Sequence, residues 1–297
     1  GYTESASEPS SPTKGDIWWD SANEVLYQYL NGEFKGITTV DTSWSVDVSN
    51  LSYDNVSFSI SAQDASAREI RFNNDGTKMF LGGTNDRIYQ YSLSSAFDIS
   101  TLSYDNVNWN PDGIGDTQTF FFNDDGTKIY IGVSVVSEFS LSSAFDMSST
   151  FTLLSSSLDL GEPSFCWGIS RDGTKIFACP YSNQTVHSWT LSTPYDTSTA
   201  TKDAATFTDS NNLLGFPTHI NFDSKGTKMY IVDDSADVYQ YSMTTAYDLS
   251  TASYDSKTFD FSAQSISTQS MVFNLDGTKA IVLAKGNDFV YQYSTGL

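Results

Sequence analysis

Asn74-Asp75-Gly76-Thr77-Lys78 decides how the rest of the chain is read. The tetrad Asp-Gly-Thr-Lys returns at 125–128, 172–175 and 276–279, and Lys225-Gly226-Thr227-Lys228 is a fifth copy changed at one position. The glycines stand at 76, 126, 173, 226 and 277, a period near 50 residues. Each copy sits in the same surroundings. An apolar run precedes the turn, as at 69–72 and 119–122, and a second short run follows it, as at 79–81 and 129–131. A variable polar loop then leads to an alternating segment: Ile88-Tyr89-Gln90-Tyr91-Ser92, with sisters at 136–140, 186–190, 238–242 and 290–294. Four copies continue into a Ser-Ser-Ala-Phe-Asp-like link, and most close on a last extended piece such as 102–105. The runs are short, rich in β-branched and aromatic residues, and bounded by Gly, Asp, Asn and Ser, which predicts strands. Asp-Gly suits a tight turn because Gly accepts a positive φ. Four short strands in a unit of about 50 residues make the blade of a β-propeller.

The fifth copy stops after its third strand, at Ser294-Thr295-Gly296-Leu297. Its missing piece is at the other end of the chain, where 45–56 aligns with 96–107. The expected fold is therefore all-β: a five-bladed propeller over 41–297, closed by an N-terminal strand that completes the last blade and removes two open sheet edges. Residues 1–40 are read as a Ser/Pro/Glu-rich linker and a small β-hairpin arm over 15–35, since 1–14 offer no apolar run for a sixth blade.

Composition narrows the function. The 297 residues carry 15 Lys+Arg against 36 Asp+Glu, a net charge of −21, which argues against nucleic acid or an anionic membrane as partner. No run approaches the length of a transmembrane helix. The polar start at Gly1, without Met, reads as a processed or fragment terminus rather than a signal peptide. Two His and two Cys leave little for zinc sites or Ser-His-Asp triads, so the expectation is that the protein is not an enzyme.

The units resemble YVTN-type propeller repeats, whose first hairpin carries a Ser-Pro-Asp-Gly-Lys turn; 74–78 and its copies stand in that place without the Pro. At the N-terminus, Pro9-Ser10-Ser11-Pro12-Thr13-Lys14-Gly15-Asp16-Ile17-Trp18-Trp19-Asp20, followed by Leu26-Tyr27-Gln28-Tyr29 and Gly32-Glu33-Phe34, resembles a hairpin module of tailed-bacteriophage tail-fibre and virion proteins. That resemblance implies an extracellular virion or surface-appendage protein. Its propeller head would bind a host surface glycan or receptor, its residues 1–40 would join other virion or fibre proteins, and it would be able to form a homo-oligomer. The alternatives are a purely structural or decorative virion component, a secreted bacterial adhesin, and a metal-dependent propeller hydrolase or lactonase.

Ligand residues are expected on the variable face, where loops differ between copies. They are Trp109, Asp112, Asp116, Glu162, Tyr181, Asn183, Asp233, Asp234 and Asp237. Trp109 stands outside the repeated aromatic pattern and could stack on a sugar ring, and Asp233, Asp234 and Asp237 offer oxygen ligands of the kind Ca2+ takes. For an enzyme, carboxylates would have to converge at the channel mouth, with Glu69, Asp112, Asp116 and Glu162 as candidates. His219 lies in an innermost strand and could face the channel, whereas His187 replaces a strand tyrosine and reads as structural. Counting outward from the turn sets Cys166 opposite Cys179, as a cross-strand disulfide or as two buried thiols. Asn50, Asn55 and Asn183 head Asn-x-Ser/Thr triplets, which matter only on a eukaryotic secretory route.

Overall fold

The structure, a computed structural model, describes residues 43–111, 117–180 and 184–297, with Ser10 and the strands Tyr2–Ser5, Ile17–Asp20, Val25–Leu30 and Glu33–Ile37. Contacts divide the chain into two compact units, Gly1–Trp44 and Ser45–Leu297. In the first, Ile17–Asp20 and Val25–Leu30 form an antiparallel hairpin that continues into Glu33–Ile37, and Tyr2–Ser5 pairs parallel to Ile17–Asp20. The expected hairpin is thus the middle of a four-stranded sheet.

The second unit is a five-bladed propeller of four-stranded antiparallel sheets. From the axis outward, blade 1 is Ala67–Phe72, Lys78–Gly83, Ile88–Leu93 and Leu102–Trp109; blade 2 is Phe120–Phe122, Lys128–Ile131, Val135–Leu141 and Phe151–Asp159. Blade 3 is Cys166–Ile169, Lys175–Cys179, Thr185–Leu191 and Ala200–Thr208; blade 4 is Pro217–Phe222, Lys228–Asp233, Asp237–Met243 and Ala252–Asp260. Blade 5 takes Thr268–Phe273, Lys279–Ala284 and Phe289–Ser294 from the C-terminus and Ser52–Ser59 from the N-terminal side. Phe289 faces Ser59 and Ser294 faces Ser52, so the predicted splice closes the ring.

Three repeated devices explain why the turn and the link are so uniform. First, the turn glycines have φ between 69° and 73°, a conformation that favours Gly. Over four of them lies the aromatic of the Ala-Phe/Tyr-Asp link, itself left-handed: Phe97, Phe145, Tyr195 and Tyr247, with φ between 52° and 59°. A Cβ on Gly76 would meet the Phe97 ring at 2.2 Å, and the Phe97 N–H donates to the Gly76 carbonyl at 2.9 Å. Second, the Asp after that aromatic caps a 3₁₀ turn: Asp98 Oδ1 accepts from Ser100 N at 3.0 Å, and Asp47, Asp196 and Asp248 repeat the contact. Third, the central residue of the third strand reaches the next blade. Gln90 accepts from Met147 N at 3.0 Å, Glu138 from Thr197 N at 3.1 Å, Gln240 from Val48 N at 3.0 Å and Gln292 from Ile99 N at 3.4 Å.

Aromatics pack across the same seams. Phe58, Phe207 and Phe259, on outer strands, meet Tyr91, Tyr241 and Tyr293 of the following blade at 5.0 to 6.0 Å between centroids. Each pairs with the first residue of the alternating strand, and Trp109, opposite Ile88, is the blade 1 member of this set.

Gly76→Ala combines an unfavourable left-handed Cβ with the ring clash. It is expected to lower stability by about 2 kcal/mol or more, and Phe97→Ala in the same chain to recover only the clash; urea melts of the single and double variants check this. Gln240→Ala leaves the buried Val48 N–H without its acceptor and is expected to cost about 1–3 kcal/mol by the same measurement.

Candidate functional site

Strand pairing makes Glu69, Cys166, His219 and Ser270 equivalent positions of four innermost strands, and Thr119, the residue before Phe120–Phe122, holds the same level in blade 2, where its carbonyl accepts from Gly132 N. All five are buried. At this level each blade contributes one polar or nucleophilic group. In blades 1, 4 and 5 the pairing register shifts one residue earlier, at Arg68, Thr218 and Gln269. Such bulges re-aim the side chain that follows.

The ring is knit across the axis. Glu69 Oε1 accepts from Ser270 Oγ of blade 5 at 2.7 Å and lies 3.4 Å from His219 Nε2 of blade 4, an ion-pair distance without hydrogen-bond alignment. Arg71, two residues nearer the turn face, has its Nε 3.4 Å from Glu69 Oε1 and donates to the Phe120 carbonyl at 3.2 Å. Its guanidinium carbon stands 3.4 Å from the centroid of the Phe121 ring. Toward the variable face, Arg68 Nη1 donates to Gln269 Oε1 at 2.6 Å, and Gln269 Nε2 donates to Asp234 Oδ1 at 2.6 Å.

Burial sets the charge states. The His219 imidazole is 1 % exposed, and loss of solvent pushes its pKa down against the raising pull of Glu69, so it is neutral at pH 7. Burial alone would raise the Glu69 pKa, but Arg71 and His219 override it and hold the carboxyl below its ordinary range. Arg71 is pushed down to about 10 by burial and stays cationic. The Cys166 thiol is pushed well up by burial and by its neighbour Cys179, so it stays protonated. Arg68 Nε, Arg71 Nη2, both ring nitrogens of His219 and Thr268 Oγ1 are buried without a hydrogen-bond partner among the described residues. Such groups ordinarily cost about 1–3 kcal/mol each unless something satisfies them.

Of the residues expected to bind ligand, Asp112, Asp116, Tyr181 and Asn183 lie outside the described residues. Trp109 is not a free platform: it stacks on Phe151 at 3.7 Å and 6° and meets Phe139 edge-on at 5.1 Å, so although it lies outside the set of third-strand aromatics it is engaged in packing between blades. Glu162 is exposed in the link between blades 2 and 3. Asp233 accepts from Phe216 N and Ser235 N, Asp234 from Ser267 and Gln269, and Asp237 from Tyr239. The expected calcium cage is not assembled by these three, and no cluster of three His, Cys, Asp or Glu placed to hold a metal ion occurs among the described residues. His187 is half-buried in the third strand of blade 3, away from the axis. Cys166 does face Cys179, and both are free buried thiols. Glu69 and His219 were in view from the sequence. Arg71 and Ser270 were missed; for Ser270 the available signal was the aligned column at 69, 119, 166, 219 and 270, which reads Glu, Thr, Cys, His and Ser.

No protein-family profile matches the chain, and no curated protein is similar to it. Among solved structures it is similar to a luciferin-regenerating enzyme, at 12% identity and a TM-score of 0.47, covering 82% of this chain and 95% of that one. It is also similar to a candidate 6-phosphogluconolactonase from Bacteroides fragilis (13%, 0.43, 80% and 64%) and to a protein from Lactobacillus plantarum (15%, 0.42, 82% and 69%). At such identities the likeness is one of fold, and none of the three is described as a virion component. The expectation that the chain is not an enzyme is corrected here: it rested on a count of two histidines, and that count did not register that one of them meets a carboxylate on the axis.

Acid should loosen the axis. Both His219 and Glu69 have depressed pKa values, so each contributes stability that is complete above its ordinary value, 6.5 or 4.5, and is lost as pH falls through the native one. The melting temperature is expected to begin falling below about pH 6.5, and His219→Leu to remove that first limb. Glu69→Gln leaves Arg71 buried without its counter-charge and is expected to cost about 3–5 kcal/mol.

Proposed function

We propose that the propeller is a hydrolase that opens a small ester or lactone by attack of water, with its chemistry on the axis. The observation that carries this reading is the contact of the Glu69 carboxylate with the neutral His219 imidazole, beside a guanidinium with an uncommitted N–H. A neutral imidazole can take a proton from water as the water oxygen attacks the carbonyl carbon. Glu69 holds the ring and stabilises the imidazolium that results, and Arg71 Nη2 is the donor for the developing oxyanion. The acyl–oxygen bond then breaks, and the imidazolium returns its proton to the departing alkoxide. Neither on-axis nucleophile competes: Ser270 donates its proton to Glu69 rather than to His219, and Cys166 is held as the thiol. Substrate would approach from the variable face, past Arg68 and Gln269.

The N-terminal motif supports a second proposal, about place rather than chemistry. By its resemblance to virion modules, the unit at 1–40 would attach the propeller to a virion tail or surface appendage, with a host surface glycan as its target.

The test is turnover of a panel of lactones and aryl esters by the full chain and by His219→Asn and Glu69→Gln, each checked for folding by its melting transition. The expected result is a loss of about 100-fold or more in kcat/KM in either folded variant, and a wild-type rate that climbs with pH and levels off below the ordinary histidine value of 6.5, because burial holds the His219 pKa down. Absence of turnover across the panel, or full activity in His219→Asn, would sink the reading.

A further inference from the structure

The five blade seams are not alike. Beside the Gln or Glu contact, a lysine from the tetrad reaches the next blade's left-handed aromatic: Lys78 Nζ donates to the Phe145 carbonyl at 2.8 Å, Lys128 to Tyr195 at 3.1 Å and Lys279 to Phe97 at 3.5 Å. A second-strand tyrosine adds to two seams, Tyr130 donating to the Tyr195 carbonyl and Tyr230 to the Val46 carbonyl. The seam from blade 3 to blade 4 has none of these. Ser188 replaces the glutamine and spends its hydroxyl on Asp203 of its own blade, at 2.7 Å. Lys175 turns back to Thr190 and Asp203, and Phe177 stands where tyrosine would.

At the turn-face end of this seam lies a cavity of about 520 Å³ lined by Asp124, Arg171, Asp172, Lys175, Lys225 and Tyr247 among others. Two of these matter for charge. Arg171 stands in a column that differs in every copy, as Asn74, Asp124, Arg171, Ser224 and Leu275; in blade 1 the Asn74 side chain donates to the Asp124 carbonyl of the neighbouring turn. Lys225 replaces the tetrad Asp. In the other copies that Asp caps the threonine, as Asp75 does for Thr77 N at 2.9 Å. In blade 4 the cap is taken over by Asp223, which accepts from Thr227 N at 2.7 Å and Thr227 Oγ1 at 3.0 Å. Position 225 is thereby released from turn duty, and it carries a cation. Neither Arg171 nor Lys225 has an ion-pair partner among the described residues. The turn beneath Arg171 is held in place, since its carbonyl accepts from the Tyr195 hydroxyl.

The geometry points to this cavity as a binding site for an acidic saccharide. In a chain of net charge −21, two uncommitted cations brought to one cavity favour an anionic group. The Asp124 and Asp172 carboxylates in the same wall disfavour a bare polyanion and accept from hydroxyls, so the ligand that suits both carries a carboxylate on a hydroxyl-rich ring. The volume is in the range of small-molecule sites, about 300–1,000 Å³. The site is on the face opposite the mouth through which the axis is approached, and its occupancy does not depend on the hydrolytic reading.

The test is titration calorimetry of the full chain with digalacturonic acid, with its neutral counterpart digalactose and with sodium sulfate, at fixed ionic strength. Digalacturonic acid should bind saturably, at least tenfold more tightly than either control. Lys225→Asp, which restores the tetrad, should weaken it at least tenfold without lowering the melting temperature, as should Arg171→Ala, whereas His219→Asn and Arg87→Ala should bind as wild type does. Equal binding of digalactose, sulfate binding as tight as the uronate, or binding indifferent to Lys225→Asp would each overturn the assignment, as would no binding at all.

Discussion

A backbone N–H enclosed at a seam must find an acceptor, and at four of the five seams the neighbouring blade supplies it. The Gln90, Glu138, Gln240 and Gln292 side chains each leave their own sheet to do so, and the three glutamines simultaneously donate to Asp105, Asp255 and Asp54 in the outer strand behind them. One side chain therefore ties three things together: its strand, the bulge of the outer strand, and the next blade's 3₁₀ turn. Because a buried group left unpaired costs more than a made bond returns, the contact works chiefly by excluding other blade spacings. The split blade obeys the same rule, with Val48 N–H on Gln240 replacing an intra-repeat connection.

Inside that frame the axis is free to be irregular. Five equivalent positions need only be small enough in sum to meet, so Glu, Thr, Cys, His and Ser can share a level without disturbing the sheets behind them. The cost of desolvating Glu69 is offset by Arg71 and His219 rather than by solvent, and this gives an imidazole that is neutral and a carboxylate that is charged at the same pH.

Much of this was legible in the sequence because it is repeated and local. A glycine every 50 residues, the missing fourth strand and the Cys166–Cys179 register all follow from counting along a chain with a two-residue strand period. The role of Trp109 was legible in the same way. The offset of 51 residues that sets 45–56 on 96–107 also sets Phe58 on Trp109, and the offset of 150 between Gly76 and Gly226 sets Trp109 on Phe259, but its reading rested on the third-strand aromatics alone. The outer strands slip by two residues at a bulge, where Asn55, Asn106 and Ser256 are left-handed, and the slip is the same in each of these blades. The axial cluster was half legible: residue type singled out Glu69 and His219, but which blades face each other across the axis is a property of the closed ring, and no local pattern carries it.

The splice of blade 5 also fixes an order of events during synthesis. The strand Ser52–Ser59 leaves the ribosome long before its partner Phe289–Ser294, and the Asp54–Gln292 contact spans 238 residues. Until the last strand appears, Tyr53 and Phe58 have no blade to enter and the open edge of the first blade is unpaired, so the nascent ring is a chain of stacked sheets with two adhesive ends. Closure comes last and joins the most distant parts of the propeller, which makes it the slow step and the point at which a crowded cell can turn ring closure into exchange of strands between copies.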